Sequence, residues 1–230
     1  MLNVMAQTQG LSISNDRFVS HFVHDLRACL RAADALPDWI EEDLKGVTDK
    51  LPESVHRHLA DIKTNAQRAD RLINSVRELC NLDDQIYASE IIDLRQTVQA
   101  VVNDSATPSD FEIKVEMVEQ LCLVPPDAVQ SVVRALLDNA FKHYGTNAGT
   151  VIVTNIDTQG ALWVSDNGQG ILERYHESIF DPFATLQSRD IIEGSGLGLT
   201  IARKQVENWG GTLKVIPEGP LKGATLQIKF

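Results

Sequence analysis

Ala161-Leu162-Trp163-Val164-Ser165 runs directly into Asp166-Asn167-Gly168-Gln169-Gly170, so an apolar strand ends on a carboxylate followed by two glycines. A carboxylate at that place can serve as an acceptor in a pocket floor, because glycine backbone lets a ligand come close. Asp-Asn-Gly is also a common tight turn, so the run alone does not separate a binding loop from a connection. Further β-rich runs lie around it at Phe111–Val118, Val151–Ile156, Thr212–Ile216 and Ala224–Phe230, with the strand at its own start reading as Ala161–Val164. Helical stretches fall between them at Leu94–Val102, Asp127–Tyr144 and Leu197–Trp209. Strands mixed with helices, and strand pairs joined by turns such as Asp157-Thr158-Gln159-Gly160, predict a two-layer α/β sandwich.

Upstream the periodicity is different. From Asn15 to Asp84 there is no strand-like alternation. Val19, Val23, Leu26, Leu30, Ala33, Pro37, Ile40, Leu44 and Val47 recur at steps of four and three, as do Val55, Leu59, Ile62, Ala66, Ala69, Ile73, Val76 and Cys80. Each series makes one narrow apolar seam on a helix. Thr48-Asp49-Lys50-Leu51-Pro52-Glu53 supplies a turn between them, which predicts an antiparallel hairpin with a kink at Pro37. Two helices cannot enclose their own seams. A second copy completing a four-helix bundle is the simplest remedy, and packing against the rest of the chain is the alternative. The expected organisation is a tail over 1–14, the helical hairpin over 15–84 and the α/β domain over 85–230, with the boundary near Asp83–Ser89.

A net charge of −11 argues against nucleic acid as a partner, since phosphate neutralisation needs a basic surface. No apolar run approaches the roughly 20 residues that span a bilayer. The start MLNVMAQTQG lacks the form of a signal peptide, so a cytoplasmic protein without membrane insertion is expected. Cys29, Cys80 and Cys122 form neither a disulfide framework nor a zinc pattern.

Two more segments carry chemistry. Gly194-Ser195-Gly196-Leu197-Gly198-Leu199 leads straight into a helix, where glycine N–H groups and the helix N-terminus favour phosphate oxygens. Its spacing matches neither the P-loop nor the dinucleotide fingerprint. Leu136-Leu137-Asp138-Asn139-Ala140-Phe141-Lys142 ends an amphipathic helix, with Asn139 and Lys142 on one face. That pair suits Mg²⁺ and phosphate, and equally a solvated helix edge.

Taken in order, the Asn139 segment, Asp166-Asn167-Gly168-Gln169-Gly170, Ile179-Phe180-Asp181-Pro182-Phe183 and Gly194-Ser195-Gly196-Leu197-Gly198-Leu199 resemble the N, G1, F and G2 boxes of histidine kinases. These kinases share a superfamily with gyrase, Hsp90 and MutL. Phe22-Val23-His24-Asp25-Leu26-Arg27 likewise resembles their H-box, most closely the H-D-L-R form of phytochrome-like kinases. The resemblance implies ATP and Mg²⁺ as cofactors and a histidine kinase/Hsp90-like ATP-binding domain behind a dimeric helical bundle. It implies that Asn139 holds Mg²⁺ and Lys142 contacts phosphate. Asp166 would accept the adenine amino group, Gly168 and Gly170 would open the pocket, and Gly194, Gly196, Leu197 and Gly198 would flank the phosphates. The stretch Phe180–Glu193 would form a lid.

His24 is then the phosphoacceptor, one residue off the seam at Val23 and so on the flank of the bundle, with Asp25 as its orienter and proton acceptor. The expected partners are a second copy, a response-regulator receiver domain and a separate sensor protein. Ala28-Cys29-Leu30 stands where many members have Thr-Pro-Leu, which predicts weak or absent phosphatase activity. His21 is a competing acceptor without a following carboxylate, and His56, His58 and His176 read as surface residues. Two other functions fit the same fold: a phosphotransfer scaffold with a degenerate ATP domain, or an ATP-driven conformational switch. Intact Asn139, Asp166 and glycines count against the first, and the hairpin with its His-Asp pair against the second.

Overall fold

A computed structural model describes residues 23, 26–27, 29–46, 51–82, 85, 87–143, 148–156, 158, 160–186 and 195–230. The chain divides into two compact units, Met1–Cys80 and Asn81–Phe230.

In the first unit, helix α1 covers 29–43 and helix α2 begins at Glu53, ending at Asn81 just past the division. Lys63 Nζ donates to Asp38 at 2.9 Å, Gln67 Nε2 to Asp34 at 3.0 Å, and Arg27 Nε lies 3.6 Å from Asp70. Partner numbers rise on one helix as they fall on the other, so the pair is an antiparallel hairpin. These bridges are exposed and contribute little each. The seam residues Val23, Leu59 and Ala66 are buried. Helical structure continues through Pro37, which is itself buried. Leu36, Trp39, Ile40 and Ile62 stay exposed, Trp39 at 60%, so one hairpin leaves part of its apolar surface uncovered. Residues 48–50 of the expected Thr48–Glu53 turn and the tail over 1–14 lie outside the described residues.

The second unit is the α/β layer pair. Its elements in order are β1 (Glu90–Asp93), α3 (Leu94–Asp104), β2 (Phe111–Glu116), β3 (Leu121–Val124), α4 (Pro126–His143), β4 (Gly149–Thr154), β5 (Leu162–Asp166), α5 (Gly198–Asn208), β6 (Thr212–Val215) and β7 (Thr225–Lys229). Short 3₁₀ turns at Glu173–Tyr175 and Ser178–Phe180 follow β5. Strands β2-β4-β5-β7-β6 form one sheet, parallel only between β2 and β4. Its alternating residues Val151, Val153, Leu162, Val164, Leu213, Leu226 and Ile228 face one core with Leu94 and Val98 of α3, Val133 and Leu137 of α4, and Ala202 and Val206 of α5.

The local chemistry explains the boundaries. Asp93 caps α3, accepting from Arg95 N at 2.9 Å and Gln96 N at 3.4 Å. Pro126 opens α4, where its missing N–H costs nothing. Strand β2 stops at Glu116 instead of continuing to Val118, because the Asn155 side chain takes both the N–H and the C=O of Val118, at 2.8 and 3.0 Å. Strand β5 runs two residues further than Val164, which makes Asp166 its last residue.

A second, two-stranded sheet, β1 paired antiparallel with β3, is absent from the sequence reading. Four-residue strands carry too little alternation to detect, and Leu121-Cys122-Leu123-Val124 is apolar throughout. In it Cys122 and Val124 turn inward while Leu121 and Leu123 face out.

Candidate functional site

A cavity of about 660 Å³ opens between the C-terminal half of α4, the end of β5, the N-terminus of α5 and the segment 169–186. Helix α4 buries Val132, Val133, Leu136, Leu137 and Ala140 in the core, and that fixes the rotation of its next face. Ala135, Asp138, Asn139, Lys142 and His143 therefore line the cavity at spacings of three and four. Asn139 is half-buried, and Lys142 and Asp138 are exposed.

Opposite stands Asp166, buried at the end of β5. Its Oδ1 accepts from Gly168 N at 2.8 Å and from Ala224 N at 3.0 Å. Burial pushes this carboxyl above the ordinary aspartate range, and the two backbone donors pull partly the other way. Both bonds fall on one oxygen, so Oδ2 remains available to a donor in the cavity. Gly223 N also donates to the Asp166 carbonyl at 3.0 Å, so the chain at 223–224 closes directly over this residue.

At the third side, Ser195, Gly196, Gly198 and Leu199 line the cavity where α5 begins. Among the described residues no side chain caps α5. Its first N–H groups and dipole thus favour an anion. Gly196 has φ 70°, and a Cβ there would come within 2.9 Å of the Phe183 carbonyl carbon. Glycine is required on both counts. The Gly196 carbonyl accepts from Phe183 N at 2.9 Å, which ties the Ile179–Phe183 segment to the glycine loop.

Of the residues proposed from sequence, Asn139, Lys142, Asp166, Gly170, Gly196 and Gly198 meet at this cavity. Gly168 stands just behind it and acts through its N–H on Asp166. Leu197 differs: its side chain is fully buried, so it faces the protein interior and anchors the start of α5. His24, Asp25 and Gly194 lie outside the described residues, as do residues 187–193 of the expected lid. His176, read from sequence as a surface residue, is half-buried, with Nε2 3.0 Å from the Ile171 carbonyl oxygen.

The structure adds residues that the motifs did not mark. Ala224 supplies a second backbone donor to Asp166, and Gly223 leaves the room for it: a Cβ there would lie 2.1 Å from Asp166 Oδ1. Only the glycine ahead of an alternating terminal strand hinted at this in sequence. His143 and Tyr175 also line the cavity. His143 is held below the usual histidine range by burial and then by the Lys142 charge, so it is neutral at pH 7.

The arrangement provides a buried acceptor at one end, and a lysine with an uncapped helix terminus at the other. A neutral amide oxygen stands at Asn139, beside the lysine. Those groups fit a hydrated Mg²⁺, for which Asn139 would be the protein ligand.

Comparison with known proteins agrees. Residues 125–230 match the family model described as histidine kinase-, DNA gyrase B-, and HSP90-like ATPase. The signal transduction histidine-protein kinase AfsQ2 of Streptomyces coelicolor is 30% identical over 94% of this chain and 42% of its own length. Mycobacterial sensor histidine kinase MprB superposes with a TM-score of 0.51 and 26% identity, over 61% of this chain and 95% of that structure. Full-length ShkA in complex with AMPPNP, at 19% identity, shares the fold with a TM-score of 0.64 over 92% of this chain and 44% of its own. The chain spans 42%, 22% and 55% of three curated relatives, AfsQ2, KdpD of Escherichia coli and SasA of Synechococcus. By these likenesses and its own site, residues 125–230 carry the histidine kinase-, DNA gyrase B- and HSP90-like ATPase fold, and the chain is similar along most of its length to histidine kinases of two-component systems.

Proposed function

We propose that this chain binds Mg-ATP, phosphorylates its own His24 and passes the phosphoryl group to an aspartate of a response-regulator receiver domain. The observation that carries the reading is the convergence of Asn139, Lys142, Asp166 and Gly196 on one cavity from separate elements. A degenerate scaffold has no need of that convergence.

Asp166 is the acceptor for the adenine amino group. Burial strengthens such a bond and excludes competing water. Lys142 and the first N–H groups of α5 bind the phosphates and orient the terminal one. Mg²⁺, when bound, neutralises charge on the phosphate oxygens, with Asn139 as its protein ligand. A nitrogen of the His24 imidazole attacks the γ-phosphorus while the bond to the β–γ bridging oxygen breaks, and ADP leaves. Asp25 accepts a hydrogen bond from the other ring nitrogen and takes up its proton. The phosphoryl group then passes to the receiver carboxylate, and His24 is regenerated.

The reading includes a homodimer through the hairpin, a separate sensor and a reaction in the cytoplasm. The uncovered Leu36, Trp39, Ile40 and Ile62 support the dimer. Among the described residues no helix is long and apolar enough to cross a membrane.

The deciding experiment is incubation with γ-labelled ATP and Mg²⁺, using the native chain, His24→Ala and Asn139→Ala, followed by acid treatment. Acid-labile label on the native chain alone is the expected result. Nucleotide binding with no label on His24 would replace the kinase reading with that of an ATP-driven switch.

A further inference from the structure

Arg203 lies on α5, five residues beyond its first residue, and belongs to none of the motifs above. Its Nη1 donates to Glu177 Oε2 at 3.0 Å and its Nε to Glu207 Oε1 at 3.1 Å. The guanidinium also lies 4.9 Å from the centroid of the Phe180 ring. The two carboxylates hold it more firmly protonated than a free arginine. One planar cation thus joins α5 to both ends of the short turn Glu177–Phe180. Phe180 is buried beneath it, and Ile179 beside it faces the cavity.

The same wall is fixed at a second point. Phe183, with φ 65°, donates its N–H to the Gly196 carbonyl, and Ala184 and Thr185 continue the cavity lining. Burial of Ile179 and Phe180 in the core seats the middle of this wall. The backbone bond at the glycine loop and the Arg203 guanidinium add polar attachments on either side of it.

We infer that Arg203 is a positioning residue that holds the Ile179–Thr185 wall against the glycine loop, so that the phosphate end of the cavity is preformed. This rests on the reading of the cavity as an ATP site. The adenine end, built by Asp166, Gly168 and Ala224, has no contact with Arg203, so the two ends respond differently to its loss. A lysine keeps the charge but not the planar fork that reaches Glu177 and Glu207 together while lying over a ring.

The test is Arg203→Met, which retains a stem over Phe180, alongside Arg203→Lys and Glu177→Gln, all in the full chain. Titration with ATP and with adenosine reads the two ends separately. Arg203→Met is expected to weaken ATP binding about tenfold, in line with loss of a charge-assisted bond, and adenosine binding less than about twofold. Arg203→Lys should recover only part of the ATP affinity. Glu177→Gln combined with Arg203→Met should add little to Arg203→Met alone. Hydrogen exchange without nucleotide gives an independent readout: amides of 177–184 should exchange about tenfold faster in Arg203→Met, with the central strands unchanged. Equal loss of ATP and adenosine affinity, or unchanged exchange over 177–184, would overturn the inference. A native chain that binds no ATP sinks the nucleotide reading instead, and the exchange measurement still decides whether Arg203 holds the wall.

Discussion

A buried carboxylate such as Asp166 is held between opposing effects. Desolvation disfavours its charge, while backbone N–H groups from Gly168 and Ala224 favour it, and desolvation dominates. Asparagine at this position can still accept both backbone bonds through Oδ1 but carries no charge to desolvate. Asp166→Asn should therefore melt at or above the native temperature, while nucleotide affinity falls about 10- to 100-fold for the lost charged acceptor. Calorimetric titration beside a thermal melt checks both halves. The sign of the pH effect follows from the raised value. This group's contribution to stability is fully present below the pKa of an unfolded aspartate and is lost as pH rises through the higher folded value. Nucleotide binding runs the other way, weakening as pH falls through that same folded value, at a higher pH than for an exposed aspartate. Both trends should vanish in Asp166→Asn. Gly223→Ala tests the packing around the same residue. Its Cβ would lie 2.1 Å from Asp166 Oδ1 and 2.3 Å from the Asp166 carbonyl oxygen, so the backbone must shift. An overpacking cost of about 1–3 kcal/mol and a marked loss of nucleotide affinity are expected, measured by denaturant titration and ligand titration.

At the scale of elements, side chains end strands where periodicity alone would extend them. Asn155 binds Val118 N and O and also donates to Gln120 Oε1 at 2.9 Å, so one buried amide joins the end of β4 to the β2–β3 connection. Gln120 in turn donates to the Gly160 carbonyl at 2.8 Å, and its own carbonyl accepts from Leu94 N at the start of α3. Asn155→Ala removes the centre of this network and leaves the Val118 groups without partners. A loss of about 2–3 kcal/mol is expected from chemical denaturation, with nucleotide affinity at 25 °C little changed, because none of these groups lines the cavity.

For the whole molecule, the hairpin and the α/β unit pose different problems of burial. The α/β unit closes its own core with residues such as Leu94, Val129, Leu137 and Leu162 at 0% exposure. The hairpin leaves Trp39 and Ile62 exposed, and in the proposed dimer these are the residues that the second copy covers. An aromatic anchor of this kind dominates many interfaces. The native chain is expected to sediment as a dimer, and Trp39→Glu to raise the dimer dissociation constant by at least about tenfold, since a charge there must be desolvated in the interface. A native chain that sediments as a monomer at high concentration would refute the dimer.

The sequence by itself determined that a heptad-patterned segment precedes a stretch of mixed strand and helix periods, because each period belongs to one kind of secondary structure. It also located most of the cavity: Asn139, Asp166, Gly196 and Gly198 stand in short motifs whose spacing survives folding. Tertiary structure alone decided what surrounds them. Gly223 and Ala224 reach Asp166 across nearly sixty positions because β7 pairs with β5, a register no local pattern contains. Leu197 turns inward because the start of α5 is anchored in the interior, although its neighbours Gly196 and Gly198 face the cavity. The β1–β3 sheet and the Arg203 contacts have the same origin. They depend on which distant segments the common core brings together, and periodicity records only which face of each segment is buried.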